Sequence, residues 1–284
     1  MKISKIDQNL KPSLNIIGCG HVGSVLGRLF AQQNVFLVQD VLTSSRASAS
    51  DAVAFIGSGR ACADIAELRI ADVTLLGMPD DRITAACTAL AAAGLLNEDS
   101  IVFHCSGALS SAALSAAVAC GAAVASVHPV RSFADAETVA RQFAGTFCGV
   151  EGDARALQLL QPALLAIGAQ LVALDADAKT LYHAASVFAC NYLTTIVDTA
   201  LRAYTAAGIA PDLARQMAQP LITETLANIF KLGPEQALTG PIARGDLATV
   251  AQQQAAVAAW DSTAGSLYKA LADATRQLAQ RRSP

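Results

Sequence analysis

Charge is scarce in this 284-residue chain: 20 lysines and arginines stand against 23 aspartates and glutamates, for a net charge of −3. No basic field is available to hold nucleic acid or an anionic membrane, so the expected partner is a small molecule. Any C-x-x-C pair is also missing. The seven cysteines, Cys19, Cys62, Cys87, Cys105, Cys120, Cys148 and Cys190, are odd in number and far apart. That argues against a disulfide framework and against a zinc site, and fits a reducing compartment. The opening MKISKIDQNLKPS lacks the apolar core of a secretion signal, so the expected location is the cytoplasm. Residues 105–130 carry no Asp, Glu, Lys or Arg, a length that suggests a membrane span. Gly107, Gly121, His128 and Pro129 interrupt them, and the stretch reads as a loop, a buried helix and a buried strand.

What the chain has in quantity is apolar residues, 53% of the total, enough for one large or two ordinary domains. They are organised around residues 14–30, LNIIGCGHVGSVLGRLF. A short apolar run enters Gly18-Cys19-Gly20-His21-Val22-Gly23, and apolar residues then recur at Val22, Val25, Leu26, Leu29 and Phe30. This is a strand, a glycine turn and a helix. Gly18 suits the tight turn, Gly20 lets backbone approach a pyrophosphate, and Gly23 lets the helix pack close, with the helix N-terminus aimed at phosphate. The loop predicts a dinucleotide cofactor.

Strands alternate with helices up to about residue 174, which predicts an α/β fold with a doubly wound, mostly parallel sheet. Expected strands cover residues 35–42, 71–77, 101–104, 122–127, 143–150 and 170–174, with a helix starting near Ser50. Past the second strand, an acidic side chain would accept from an adenosine 2′-hydroxyl, whereas Ser and Arg would clasp a 2′-phosphate. Asp40 lies a few residues early, and Ser45 and Arg46 lie at the expected distance, which favours NADP over NAD. Met78, Pro79 and Asp80 follow another strand at the carboxyl edge, beside the cofactor. His104 and His128 sit where two more strands end, a position at which chemistry collects in such sheets. Cys105 is no partner for His104, because adjacent strand residues point to opposite faces.

From Asp175 onward the pattern is helical, with breaks near Gly208, Gly233 and Gly240. The expected domains are therefore 1–174, dinucleotide-binding, and 175–284, all-helical. On the first helix of the second, Leu181, Ala185, Phe188, Tyr192 and Thr195 form one stripe, which predicts a core seam. Lys179, His183 and Ser186 form another. A Lys and a His one turn apart can hold and protonate a substrate oxygen, although a solvated helix edge would read the same. Arg244, at the end of a Gly- and Pro-rich loop, suits either a substrate carboxylate or Asp246.

Taken together, GCGHVG, Ser45-Arg46, MPD, HCSGAL at 104–109, SVHPVRSF at 126–133, YHAASVFACNYL at 182–193 and ALTGPIARGD at 237–246 resemble a bacterial family of NADP-dependent oxidoreductases. In that family a Rossmann domain is joined to a helical domain similar to that of 6-phosphogluconate dehydrogenase. The resemblance covers nearly the whole chain. It implies hydride transfer in a cleft between the domains, and a homodimer through the helical domain, whose apolar stripes exceed what it can bury alone. In hydroxyacid dehydrogenases of the wider superfamily, Ser-Gly after a strand and a Lys followed four residues later by Asn form the site. Ser106-Gly107 and Lys179 match, but His183 stands in place of Asn. Asn191 is a further orienting group, and Gln253 stands where members often carry His. A sensor that binds NADP(H) without chemistry shares every cofactor-side feature. What distinguishes an enzyme is that His104, Ser106, His128, Lys179 and His183 should converge.

Overall fold

The computed structural model describes residues 11–281. The chain divides into two compact units, Met1–Phe188 and Ala189–Pro284.

The first unit is built on one eight-stranded sheet. Its strands are β1 (Ser13–Ile17), β2 (Leu37–Leu42), β3 (Arg60–Cys62), β4 (Val73–Leu76), β5 (Ile101–His104), β6 (Ala123–Pro129), β7 (Phe147–Gly152) and β8 (Gln170–Ala173). The order is β3-β2-β1-β4-β5-β6-β7-β8, and every neighbouring pair is parallel except β6 with β7. The helices are α1 (His21–Gln32), α2 (Arg46–Ile56), α3 (Asp80–Ala92), α4 (Ser115–Ala119), α5 (Ala136–Arg141), α6 (Ala154–Ala166) and α7 (Lys179–Val187). The doubly wound fold expected from the sequence is present. Because side chains alternate along a strand, Leu14, Ile16, Leu75 and Phe103 enter one hydrophobic cluster, while Ile17, Leu76 and Val102 enter another. Helices cover both faces, which is why strands such as β4 are buried at every position.

Several local expectations are corrected. The helix expected near Ser50 starts at Arg46, because the Ser45 hydroxyl accepts from the Ser48 N–H and caps it. The strand expected over residues 143–150 begins at Phe147 and runs antiparallel to β6. The three-residue β3 has no apolar run to announce it. The first unit extends past the expected 174/175 boundary and includes α7, whose Lys179 is anchored against β6.

The second unit contains α8 (Leu193–Ala206), α9 (Pro211–Leu232), α10 (Pro234–Ala237), α11 (Leu247–Trp260) and α12 (Ser262–Gln280). It begins within a π-helical turn, Phe188–Tyr192. Asp246 and Asp261 cap α11 and α12 by accepting from Thr249 and Ala264. The breaks near Gly208, Gly233 and Gly240 fall where the sequence places them.

The seam over Leu181, Phe188 and Tyr192 is reversed from expectation. These side chains are 78%, 68% and 50% exposed, whereas Lys179 is 1% exposed. The charged stripe of α7 therefore faces in and the apolar stripe faces out. By length and composition, the helical stretch Ala176–Ala206 is long and apolar enough to cross a membrane. No other described helix is.

Candidate functional site

The glycine turn sits at the carboxyl end of β1. Gly18 has φ +82°, and a Cβ there would lie 2.7 Å from the Met78 nitrogen. A Cβ at Gly23 would lie 2.6 Å from the Gly18 carbonyl oxygen. These two glycines are required by the protein's own packing. Gly20 is different. Its backbone is ordinary, with φ −67°, and the nearest atom to an added Cβ is the Gly77 oxygen at 3.9 Å. Among the described residues neither packing nor backbone conformation calls for glycine at this position, and the space above it is open.

Gly20 is also the N-cap of α1, with no side-chain cap and no acidic residue in the first turn. The helix start leaves N–H groups and a partial positive charge unanswered. By contrast α3, whose start also faces the cleft, carries Asp80 and Asp81 in its first turn. The turn opens into a cavity of about 610 Å³, lined among others by Gly18, Gly20, Ser44, Ser48, Met78 and Arg82. A glycine floor with room above it, next to an uncapped helix start, fits the pyrophosphate of a dinucleotide.

Other predicted cofactor residues have neighbours of their own. Cys19 turns inward to the core, and burial pushes its thiol up to about 12. Val22 packs against the same cluster. The His21 ring bonds to the Phe133 carbonyl. Pro79 caps α3, and Met78 packs on Gly18. Ser45 caps α2, and Arg46 pairs with Glu67 at 2.6 Å and donates to the Ala61 carbonyl. Neither lines the cavity. Asp40 is fully buried between Arg60 and Arg69, at 2.9 and 2.7 Å. Burial raises its pKa, but hydrogen bonds from the two arginines outweigh that and hold the carboxyl well below the usual carboxylate range.

A second cluster forms around Gly107, at the ends of β5 and β6. The Ser106 hydroxyl donates to Asp80 at 2.7 Å and accepts from the Ala108 and Leu109 N–H groups at 3.1 and 2.9 Å. Lys179 Nζ donates to the Ser106 carbonyl at 3.0 Å and to the Ser126 hydroxyl at 2.6 Å. Burial pushes the Lys179 amine down, partly offset by the Glu151 charge. His104 accepts from the Ser106 N–H through Nδ1 and donates from Nε2 to the Ser110 carbonyl, both at 3.1 Å. These three side chains hold the 105–110 loop, and their polar atoms are occupied in doing so. Burial, as the largest cause, lowers the pKa of His104.

The exposed side of that loop meets two further rings. A Cβ on Gly107 would lie 2.3 Å from His183 Cδ2 and 2.8 Å from His128 Nε2. Only glycine lets the loop pass between them. The His128 and His183 rings stand edge to face, with centroids 5.6 Å apart. His128 Nδ1 is 2.9 Å from the Tyr182 hydroxyl. Tyr182 itself crosses β7, where a side chain on Gly149 would reach 2.7 Å from that hydroxyl. Burial, then the charges of His183 and Lys179, push His128 down to about 4, so it is neutral at neutral pH.

Of the five residues expected to converge, His104, Ser106 and Lys179 lie underneath the loop and hold it, while His128 and His183 meet on its exposed side. The sequence reading missed Tyr182 as a site residue; its place immediately before His183 is the signal that could have found it. Asn191 and Arg244 belong to the second unit, where both are exposed. Arg244 is not paired with Asp246, whose carboxylate is taken by Thr249. Among the described residues, no His, Cys, Asp and Glu gather as a metal-binding group.

Residues 2–129 match the Rossmann-like domain, and residues 146–275 match the domain of unknown function DUF2520. The chain therefore carries a Rossmann-like domain followed by a DUF2520 domain. Among solved structures, a Bacteroides fragilis protein named "putative NADP oxidoreductase" is 19% identical with a TM-score of 0.76, over 94% of this chain and 98% of that one. Protein TM1727 from Thermotoga maritima is 26% identical with a TM-score of 0.71, over 95% and 100%. An imine reductase variant from Myxococcus stipitatus, in complex with NAD+, is 14% identical with a TM-score of 0.62, over 94% and 95%. No curated protein sequence matches the chain.

Proposed function

We propose that this protein is an NADP-dependent oxidoreductase that moves a hydride between the nicotinamide and a small carbonyl, hydroxy acid or imine compound. The observation that carries the reading is Gly20, a glycine that neither backbone conformation nor packing requires, at the uncapped start of α1. The similar structures named for NADP or holding NAD+ support a nicotinamide coenzyme. When bound, the coenzyme supplies or accepts the hydride.

The chain's own part is to hold the substrate oxygen or nitrogen and to manage its proton. His183 is assigned as the proton donor. Lys179 is less suited, because its ammonium is enclosed between the Ser106 carbonyl and Ser126. In the tautomer assigned to this reaction, the neutral His128 accepts from Tyr182 at Nδ1 and carries its ring proton on Nε2, beside Gly107, as a hydrogen-bond donor to the substrate.

The test is a screen of 2-oxo acids, semialdehydes and cyclic imines with NADPH, followed by His183→Ala, His128→Ala and Lys179→Ala on any hit. His183→Ala should lower the rate by roughly a hundred- to ten-thousand-fold, the scale of general acid catalysis, while NADPH still binds. Turnover within a few-fold of the native rate in both His variants overturns the site. Tight NADPH binding without turnover of any compound favours a sensor.

We further propose a homodimer through the second unit. Phe230, Leu247 and Leu221 are 87%, 60% and 57% exposed there, more apolar surface than water-facing helices usually carry. Light scattering at micromolar concentration tests it, and a strict monomer counts against it.

A further inference from the structure

The cleft above the glycine turn has two walls. Because β2 and β4 flank β1 in the sheet, the segments that follow them stand on either side of the segment that follows β1. A dinucleotide whose pyrophosphate rests on the turn must send its adenosine between those walls. One wall is hydroxylic: Thr43, Ser44 and Ser48 line it, with Thr43 and Ser48 bonded to each other at 2.5 Å. The other is the first turns of α3, where Arg82, Ala85 and Ala86 line the cavity.

Arg82 is the cation among the cavity-lining residues. It is exposed, and no described residue forms an ion pair or side-chain hydrogen bond with its guanidinium. The two arginines nearer the end of β2 in sequence are committed: Arg46 to Glu67 and Arg60 to Asp40. The acid at that end of β2, Asp40, is closed off by Arg60 and Arg69, so it offers no acceptor for a ribose hydroxyl. Asp81 lines the same cavity, but it lies in the first turn of α3, where a carboxylate complements the helix's own N–H groups. Thr43 and Ser48 are bonded to each other and to Ser45, so the uncommitted groups are the Ser44 hydroxyl and one guanidinium, a combination that suits a phosphate monoester.

Resting on the coenzyme reading above, we propose that Arg82, not Arg46, discriminates between the coenzymes: its guanidinium neutralises the 2′-phosphate of NADP(H), and Ser44 adds a hydroxyl contact from the facing wall. Ala85 and Ala86 leave space beside it for the flat adenine.

The experiment is calorimetric titration of the full-length protein and of Arg82→Ala, Arg46→Ala and Asp81→Asn with adenosine 2′,5′-bisphosphate and with 5′-AMP, with circular dichroism confirming the fold of each variant. The native protein should prefer the bisphosphate. Arg82→Ala should weaken the bisphosphate by roughly ten- to a hundredfold, as loss of a charge-assisted contact does, and leave 5′-AMP within about threefold. Arg46→Ala should change neither by more than about threefold, and Asp81→Asn should not weaken the bisphosphate. The proposal is overturned if Arg82→Ala weakens both ligands alike, if Arg46→Ala carries the loss, or if the native protein shows no preference. In the last case NADH and NADPH binding equally well leaves a nicotinamide coenzyme standing and removes the preference for NADP. If neither coenzyme binds the native protein, both fall together.

Discussion

The two units of this chain solve the burial problem in opposite ways. The first encloses its own core: Leu14, Ile16, Leu26, Phe30, Leu75 and Phe103 are 0% exposed, sandwiched between one sheet and its helices. The second has helices of good length but buries mainly small residues, among them Ala214, Ala218, Ala264 and Ala272, and leaves Phe230 and Leu221 in water. A sheet with helices on both faces creates an inside by itself, whereas a few helices of Ala-rich sequence approach closely yet offer little apolar area to one another. The first unit should therefore take its stability from its own packing, and the second from whatever covers it.

The largest effect that would sharpen this contrast comes from a matched pair. Leu26→Ala should cost about 2–5 kcal/mol in denaturant unfolding, because it leaves a cavity in a closed core. Phe230→Ala should leave the monomer within about 0.5 kcal/mol but lower the apparent molar mass in light scattering at a given concentration. Similar stability losses from both would erase the distinction between the units.

Next in size is Asp40→Asn. It removes the charge that draws Arg60 and Arg69 together and should destabilise the first unit by about 2–4 kcal/mol. Thermal unfolding at neutral pH is the measurement. Since the ionised carboxylate is favoured in the folded state, this contribution is present above the ordinary aspartate pKa and is lost as pH falls below it.

Acid should then separate the units by pH. All four histidines lie in the first. His128 is held neutral down to about pH 4, while in the unfolded chain it takes a proton near 6.5. Between those values the unfolded state binds more protons, so the His128 contribution must lower stability as pH falls from 6.5 toward 4 and level off below. The loss should be blunted in His128→Gln, followed by urea titration across that range, and an unchanged pH slope in that variant would remove the argument.

The smallest effect on folding is expected at Gly20. Gly20→Ala should change stability by no more than about 1 kcal/mol, because the new methyl group meets open space and only the mild N-cap preference for glycine over alanine is lost. NADPH affinity, followed by coenzyme fluorescence, should nonetheless drop at least roughly tenfold, a gap that separates a ligand's requirement from the fold's.

How far the sequence could be read depended on the kind of signal. The strand, turn and helix at residues 14–30 were legible because apolar period and glycine spacing reinforce each other locally. The stripes of α7 were legible as stripes, but periodicity tells which residues share a face and is silent on which face is inside. Lys179 went in because two acceptors, Ser106 and Ser126, wait beneath it, and both come from strand ends distant in sequence. Arg46 has the right chemistry for a phosphate, yet Glu67 reaches it only through the folding of the segment after β3. Local patterns gave the elements; long-range polar partners decided what each charged side chain is free to do.

The burial of thiols has a practical side. Cys62, Cys87 and Cys148 are enclosed, burial pushes Cys19 and Cys148 up to about 12, and Cys190 is the exposed cysteine, in the π-helical turn that precedes α8. Thiolate is the reactive form, so a maleimide dye at neutral pH should label Cys190 far faster than these buried thiols. The chain thus comes with a natural attachment point for a fluorophore or spin label at the start of its second unit, and no cysteine need be engineered in to use it.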